Sequence, residues 1–333
     1  MTLDRRNFMK AALGGTAAAT AAVALPSNKA HARDNKAMPP KAVGLLFDST
    51  LCIGCKACVT SCKDANDMPA EFSTPDKLWD TPLDLSGKTL NVIKSYAEGT
   101  SDVKDREGNG YAFVKKSCLH CVDPSCVSAC PVTAMSKDPE SGIVSYDADK
   151  CIGCRYCVAA CPFGVPRFQY DTATPRIQKC QLCKQHLAST DAERKYKFAA
   201  CAQVCPTGAT LFGPVELLKA EAQRRLELEA GVAAVYPRGH IETPFPSHEK
   251  PAPDYKKRIY GDKEIGGTQM LLLAGVSFGK LGYPDLPEQS YAAKSESLQH
   301  SLYGGMILPL VALAGLAFAT KRTAGAHKNE EGE

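Results

Sequence analysis

Two uncharged runs lie near the ends of this chain, and short apolar runs lie between them. From Ala11 to Leu25 the sequence is Ala/Gly-rich and mildly apolar, and from Leu302 to Thr320 there are 19 residues without a charge. At about 1.5 Å per helical residue the second run reaches roughly 28 Å, enough for the hydrocarbon layer of a membrane. Its glycines and Pro309 are tolerated in membrane helices. Between the ends, Val43–Phe47, Tyr111–Val114 and Ile143–Tyr146 predict short strands. One amphipathic helix is predicted from Pro214 to about Ala230. Proline opens it, Gly231 lies past its end, and Val215, Leu218, Ala222 and Leu226 share one face. Glu221 and Arg225 form an i,i+4 pair on it. From Gly231 to about His300 the chain turns Pro-rich and polar, with Met270–Phe278 an apolar run too short to span a bilayer. That segment predicts an extended arm packed on the core or on a partner, with a flexible linker as the alternative.

Charge changes the picture at the ends. Arg5-Arg6 precede the first apolar run and Ala30-His31-Ala32 supplies a small-x-small cleavage site, the order of a twin-arginine export signal over residues 1–32. That route serves proteins that fold around cofactors before crossing. Lys321 and Arg322 directly follow the second run, so the positive-inside tendency places residues 321–333 in the cytoplasm and the bulk of the chain on the periplasmic side of the inner membrane. The lipid bilayer is thus an expected partner through residues 302–320. The formal charge is +4, of which residues 1–32 carry a net +3; the remaining +1 leaves no basic field for nucleic acid.

Composition then points to chemistry. Among 333 residues are 16 cysteines, and all fall in four groups of four. The first is Cys52, Cys55, Cys58 and Cys62; the second Cys118, Cys121, Cys126 and Cys130. The third is Cys151, Cys154, Cys157 and Cys161; the fourth Cys180, Cys183, Cys201 and Cys205. The fourth cysteine of each of the last three groups is followed by proline. In C-x2-C-x2-C the chain winds around one cubane, and Gly54 and Gly153 let the backbone approach the sulfurs. In two-cluster ferredoxins the fourth cysteine ligates the other cluster. Zinc ribbons explain the C-x2-C pairs but not the third and fourth cysteines or the prolines. Disulfides suit an exported protein, yet cysteines this close in sequence rarely reach bonding geometry with each other. Val122 after Cys121 and Lys184 after Cys183 exclude c-type haem attachment.

The spacing predicts four [4Fe–4S] clusters in an α+β fold: two interlocked bacterial-ferredoxin-like modules in one domain, residues 33–230. An insertion covers about 63–117, and helical turns are expected after each fourth cysteine. In the inner module, Cys118, Cys121, Cys126 and Cys161 hold one cluster and Cys151, Cys154, Cys157 and Cys130 the next. In the outer module, Cys52, Cys55, Cys58 and Cys205 hold one, and Cys180, Cys183, Cys201 and Cys62 the other. The extended arm (231–300) and a membrane anchor (301–320) complete the domain plan.

With these groups in view, Cys52-Ile53-Gly54-Cys55-Lys56-Ala57-Cys58 and the following Asn66-Asp67-Met68-Pro69 resemble the opening of the four-cluster ferredoxin subunits of bacterial respiratory oxidoreductases, a likeness covering roughly residues 40–215. The signal, the anchor and the stretches Gly266–Met270 and Gly282–Pro284 are most similar to the subunits serving membrane-bound, periplasm-facing nickel–iron hydrogenases. The resemblance implies electron traffic between the hydrogenase small and large subunits and an integral membrane quinone-reactive subunit. The iron–sulfur subunit of formate dehydrogenase, a molybdenum/tungsten enzyme, is the alternative, and a structural metal- or disulfide-stabilised scaffold a third reading. No phosphate-binding loop or strand-linked dinucleotide motif occurs, and no catalytic residue is expected. His120 and His186, beside cluster cysteines, are expected to contact solvent or sulfide rather than act as ligands. Lys56 and Arg155 inside the loops either favour a reduced cluster or are ordinary solvated side chains.

Overall fold

The computed structural model describes residues 32–330 except 73, 78–80 and 173–175, and gives the backbone alone at 246, 304, 305, 307, 308, 319 and 322–330. Residues 1–31, which carry Arg5, Arg6 and most of the expected export signal, lie outside the described residues. Residues 34–292 form one compact unit.

The unit is organised by β1 (Val43–Asp48), whose Gly44–Asp48 run is buried on both faces. A strand covered on both sides needs this near-continuous apolar sequence. It pairs antiparallel with β9 (Thr210–Pro214), register Leu45 to Phe212, so the strand before the first cysteine group lies beside the strand after the last. Helices α1 (Ala57–Asp64) and α5 (Ala200–Gln203), which carry cysteines of the first and fourth groups, pack together beside that pair. The inner half repeats the plan on a smaller scale: α2 (Ser125–Ser128) packs on α3 (Tyr156–Ala160), β5 (Met135–Lys137) pairs antiparallel with β6 (Val144–Tyr146), and β7 (Arg167–Phe168) with β8 (Ile177–Gln178) ahead of the short α4 (Lys184–Leu187). Short helices precede or contain the fourth cysteines rather than following them. The helical turn between third and fourth cysteines carries the fourth away from its own loop, and the proline after it in the later groups ends the turn.

The segment 63–117 is part of the scaffold. Its β2 (Val92–Ala97) and β4 (Gly110–Lys116) pair antiparallel, with the short β3 (Val103–Lys104) on the other edge of β4. Asn91 Nδ2 donates to the Cys58 carbonyl at 2.7 Å, locking this sheet to the first cysteine loop.

The arm expected over 231–300, packed on the core or on a partner, lies up to residue 292 within the same unit, where it forms sheet. Strands β10 (Ala233–His240) and β11 (Pro244–Pro251) form a hairpin whose β10 joins β9, and β12 (Met270–Leu273) lies parallel to β1 on its other side. The sheet order is β11-β10-β9-β1-β12. The run Met270–Leu273, too short for a bilayer, is buried sheet. Its approach is so close that a Cβ on Gly44 would lie 1.9 Å from the Gln269 carbonyl oxygen, which only glycine admits.

Helix α6 (Val215–Glu227) follows β9 and buries Val215, Leu218 and Ala222 as the periodicity predicts, with Leu226 half-buried. The Glu221–Arg225 pair lies inside rather than on the surface. Arg225 is fully buried, its Nε 2.7 Å from Glu221 Oε1 and its Nη1 2.9 Å from Asp48 Oδ2, and the Tyr255 hydroxyl donates to the same Asp48 oxygen. This network ties α6 to the end of β1, four residues before Cys52.

The last helix, α7 (Tyr291–Glu330), contains Pro309. On it Leu302, Tyr303, Met306, Leu310, Val311, Leu313, Leu316 and Phe318 are each more than half exposed. Among the described residues no helix is long and apolar enough to cross a membrane. Within the expected 302–320 span, the side chains of residues 304, 305, 307, 308 and 319 lie outside that description.

Candidate metal centres

Each cysteine group is wound by residues in left-handed conformation. In the first loop the Cys52 amide donates to the Asp48 carbonyl at 3.2 Å, and the chain then turns through Gly54 (φ 70°) and Lys56 (φ 59°) into α1. The third loop repeats this with Gly153 (φ 72°) and Arg155 (φ 65°) before α3. A Cβ on Gly54 would sit 2.6 Å from the Phe113 ring. The second and fourth loops achieve the turn without glycine, through His120 (φ 49°) and through Leu182 and Cys183 (φ 52° and 53°). Left-handed residues reverse the chain tightly, so the loop cysteines face a common centre.

The structure brings the cysteines together across groups. Cys130 joins Cys151, Cys154 and Cys157 around a small cavity walled by Met135, Tyr146 and Ile177. Cys62 joins Cys180, Cys183 and Cys201 around a second, with Asn91, Lys115 and Ser117 in its wall. Cys121 has Cys161, Cys118 and Cys126 as electrostatic neighbours, and Cys52 has Cys58 and Cys205. Adjacent quartets also meet: Cys126 is close to Cys157, Cys118 to Cys180, and Cys58 to Cys201. The only exposed cysteines are Cys55 and Cys154, in the first and third loops.

Burial pushes the thiols of Cys52 and Cys180 up to about 12 and those of Cys58, Cys157 and Cys183 up to about 11. Four thiolates cannot share such a site unless cations at its centre offset them. Donors are already aimed at the sulfurs: the Leu182 amide at Cys180 Sγ (3.3 Å), the Met135 amide at Cys130 Sγ (3.4 Å) and Asn66 Nδ2 at Cys62 Sγ (3.7 Å). Such donors tune iron–sulfur potentials. Among the described residues, no three His, Cys, Asp or Glu side chains converge tightly enough to hold a single metal ion. Four sulfurs spread around a cavity suit a polynuclear group, whereas zinc requires them about 2.3 Å from one point. The residues present therefore fit iron–sulfur clusters.

The other residues singled out by sequence have local partners. His120 is buried; its Nδ1 accepts from the Val144 amide at 3.0 Å, and burial holds its pKa well below the ordinary value. It is thus a neutral backbone acceptor, not a solvent-facing group. His186 Nε2 lies 3.1 Å from the Ala65 carbonyl and its ring meets Tyr196 edge-on. Lys56 Nζ donates to the Thr81 carbonyl at 2.7 Å. The Arg155 guanidinium lies over Phe168, 4.5 Å from the ring centroid, and beside Tyr170.

Two further residues bear on the site: Lys115, which sequence reasoning passed over, and Gln269, which it held only as part of the Gly266–Met270 stretch. Lys115, at the end of β4, is fully buried, and its Nζ has no hydrogen-bond partner among the described residues. Burial opposes its charge, the nearby Cys201, Cys58, Cys62 and Cys180 favour it, and the balance raises its pKa. Gln269 stitches β12 to the rest: its amide donates to the Leu119 carbonyl, its Nε2 to the Val43 and Ser141 carbonyls, and its Oε1 accepts from Lys137 Nζ. The signal for Lys115 was a lysine continuing an apolar strand into a cysteine group; the role of Gln269 within its stretch had no signal, since its partners are more than a hundred residues away.

Comparison with known proteins adds to this geometry. A family model described as a 4Fe-4S dicluster domain matches residues 110–215. Hydrogenase-2 operon protein HybA of Shigella flexneri is 45% identical over 320 residues, covering 96% of this chain and 95% of that protein. The formate dehydrogenase-O iron–sulfur subunit of Shigella flexneri is 36% identical over 255 residues, 76% of this chain and 74% of that one. The formate dehydrogenase iron–sulfur subunit of Haemophilus influenzae is 30% identical over 295 residues, 87% of this chain and 80% of that one.

Proposed function

The chain belongs to the family of the hydrogenase-2 operon proteins HybA, and we propose that it relays electrons between a periplasmic nickel–iron hydrogenase and a membrane quinone-reactive subunit. It has no catalytic centre of its own in this reading. The observation that carries it is the arrangement of the 16 cysteines as successive quartets between two exposed loops.

Four [4Fe–4S] clusters are held in the proposal, one by Cys130, Cys151, Cys154 and Cys157 and the next by Cys118, Cys121, Cys126 and Cys161. The third belongs to Cys62, Cys180, Cys183 and Cys201, and the last to Cys52, Cys55, Cys58 and Cys205. When bound, they supply one-electron exchange. The chain's part is to hold the quartets in that order, to shield the inner two, and to open the ends. Cys154 lies beside exposed Ile152 and Tyr156, and Cys55 beside exposed Ile53. Those two loops are the proposed docking points for the hydrogenase small subunit, with its large subunit behind it, and for the quinone-reactive subunit.

Location is part of the proposal. Arg5-Arg6 and Ala30-His31-Ala32 act as a twin-arginine signal, and residues 302–320 span the inner membrane once, leaving the bulk of the chain in the periplasm. The exposed apolar side chains of α7 and the 19 uncharged residues there support this.

Gentle anaerobic solubilisation, capture of the chain, identification of its companions and an assay of hydrogen-dependent dye reduction test the function. Nickel–iron subunits with activity are expected. A molybdenum or tungsten catalytic subunit in their place transfers the relay to a formate-dehydrogenase-like complex. Cys130→Ser tests the quartets: it should perturb the cluster of Cys151, Cys154 and Cys157, and a change confined to the cluster of Cys118, Cys121 and Cys126 refutes the crossed ligation.

A further inference from the structure

A lysine ammonium with no hydrogen-bond acceptor is not stable in a protein interior by itself. The other deeply placed lysines are satisfied by protein oxygens. Lys137 Nζ donates to the Cys121 and Gly142 carbonyls and to Gln269 Oε1. Lys179 Nζ donates to the Val144 and Cys180 carbonyls. Lys63 Nζ donates to the Lys88 carbonyl and Thr89 Oγ1 and faces Glu71 at 3.5 Å.

Lys115 differs. It is 0% exposed, unpartnered at Nζ, and lines the cavity of Cys62, Cys180, Cys183 and Cys201. Its position is fixed from behind: its backbone pairs with Ile93 across β2 and β4, and its carbonyl accepts from the Tyr283 hydroxyl. The strand therefore holds the cation against the sulfurs. A cluster bound by four thiolates is anionic and gains one more negative charge on reduction, so a fixed buried cation favours the reduced form.

We propose that Lys115 is a positioning residue that raises the reduction potential of the centre held by Cys62, Cys180, Cys183 and Cys201, whose cavity it lines, and to a lesser extent that of the adjoining Cys58 centre, making this interior site the place where an electron rests within the relay. This rests on the reading that the quartets hold [4Fe–4S] clusters. The two centres of the inner module have no unpartnered buried lysine among the described residues.

Lys115→Met removes the charge while keeping most of the volume. Redox titration of the purified full chain, followed by electron paramagnetic resonance and with the signal assigned through Cys201→Ser, reads the result. Poised where the wild-type centre is half reduced, the variant should show at least a tenfold lower reduced-to-oxidised ratio, a downward shift of about 59 mV for one electron. The outer centre of Cys130, Cys151, Cys154 and Cys157 should stay within twofold of wild type, and Lys115→Arg should restore the interior signal. Full iron content with an unmoved interior midpoint overturns the proposal, as does an equal shift at every centre. Should Lys115→Met fail to assemble, Lys115→Gln is titrated in its place. Loss of iron in both neutral variants overturns the proposal in favour of a purely structural charge. A wild-type protein without cluster signals refutes the function proposed above instead.

Discussion

Replacing Arg225 by alanine is expected to destabilise residues 34–292 far more than any surface charge change on the same helix. Arg225 is 0% exposed and bridges Asp48 and Glu221, while the Tyr236 ring lies 5.2 Å from its guanidinium. Truncation leaves Asp48, itself fully buried, and the largely buried Glu221 without their shared cation. Breaking a buried pair in this way costs about 3–5 kcal/mol. Arg224 is the internal control, because its Nε and Nη2 contact the same Glu221 from a half-exposed position. An exposed ion pair is worth about 0–1 kcal/mol. For a unit of this size each kcal/mol moves the melting temperature by about 2–4 °C, so Arg225→Ala should melt about 6–20 °C lower and Arg224→Ala within about 4 °C of wild type. Anaerobic thermal unfolding, followed in parallel by far-ultraviolet circular dichroism and visible absorption, measures both. The visible signal should weaken first, since Asp48 Oδ1 accepts from the Thr50 amide at 3.0 Å and the Asp48 carbonyl from the Cys52 amide. Equal midpoints for the two variants would show that the buried network contributes nothing beyond a surface pair, and the reasoning would fail.

Acid should erode the same network. Burial pushes the Glu221 carboxyl up, but hydrogen bonds and charge from Arg224 and Arg225 outweigh it and hold its pKa below the ordinary glutamate value. With a depressed folded-state pKa, its contribution is complete above the unfolded value and is lost as pH falls through the folded one. Glu221→Gln should therefore be less stable than wild type at pH 7 and converge with it in acid, as denaturant midpoints across pH will reveal; a constant gap contradicts this. Gly54→Ala forces a side chain into φ 70° against the Phe113 ring, costing about 1–2 kcal/mol for the left-handed conformation alone. Iron per chain should drop with loss at the Cys52, Cys55, Cys58 and Cys205 site, and unchanged iron counts against the packing described. Ending the chain at residue 301, in cells that make none of its partner subunits, should move the protein from the membrane to the soluble fraction with its visible spectrum intact, and continued sedimentation with membranes removes 302–320 as the anchor.

Much of the site was legible because cysteine spacing is local. In the first and third groups three thiols within seven residues can reach one centre by loop winding alone, and the C-x2-C pairs open the second and fourth, so each group could be recognised without a fold. The expected strands at Val43–Phe47, Tyr111–Val114 and Ile143–Tyr146 correspond to β1, β4 and β6. The helix predicted from Pro214 is α6, since its apolar period was complete within itself. Lys56 and Arg155 gave no hint of left-handed backbone, because nothing in a lysine or arginine announces positive φ.

What the sequence by itself determined was therefore the chemistry and the short elements: the cysteine groups, the nesting of the first and fourth around the second and third, and the amphipathic face of α6. Only the tertiary structure decided that residues 233–273 complete the central sheet, that Glu221 and Arg225 are interior, and that Lys115 faces a quartet unpaired. The reason is distance along the chain. Leu271 meets Leu46 and Gln269 meets Val43 across more than two hundred residues. Such a partner is chosen by what the rest of the fold leaves open, and no local pattern of apolar and polar residues records it.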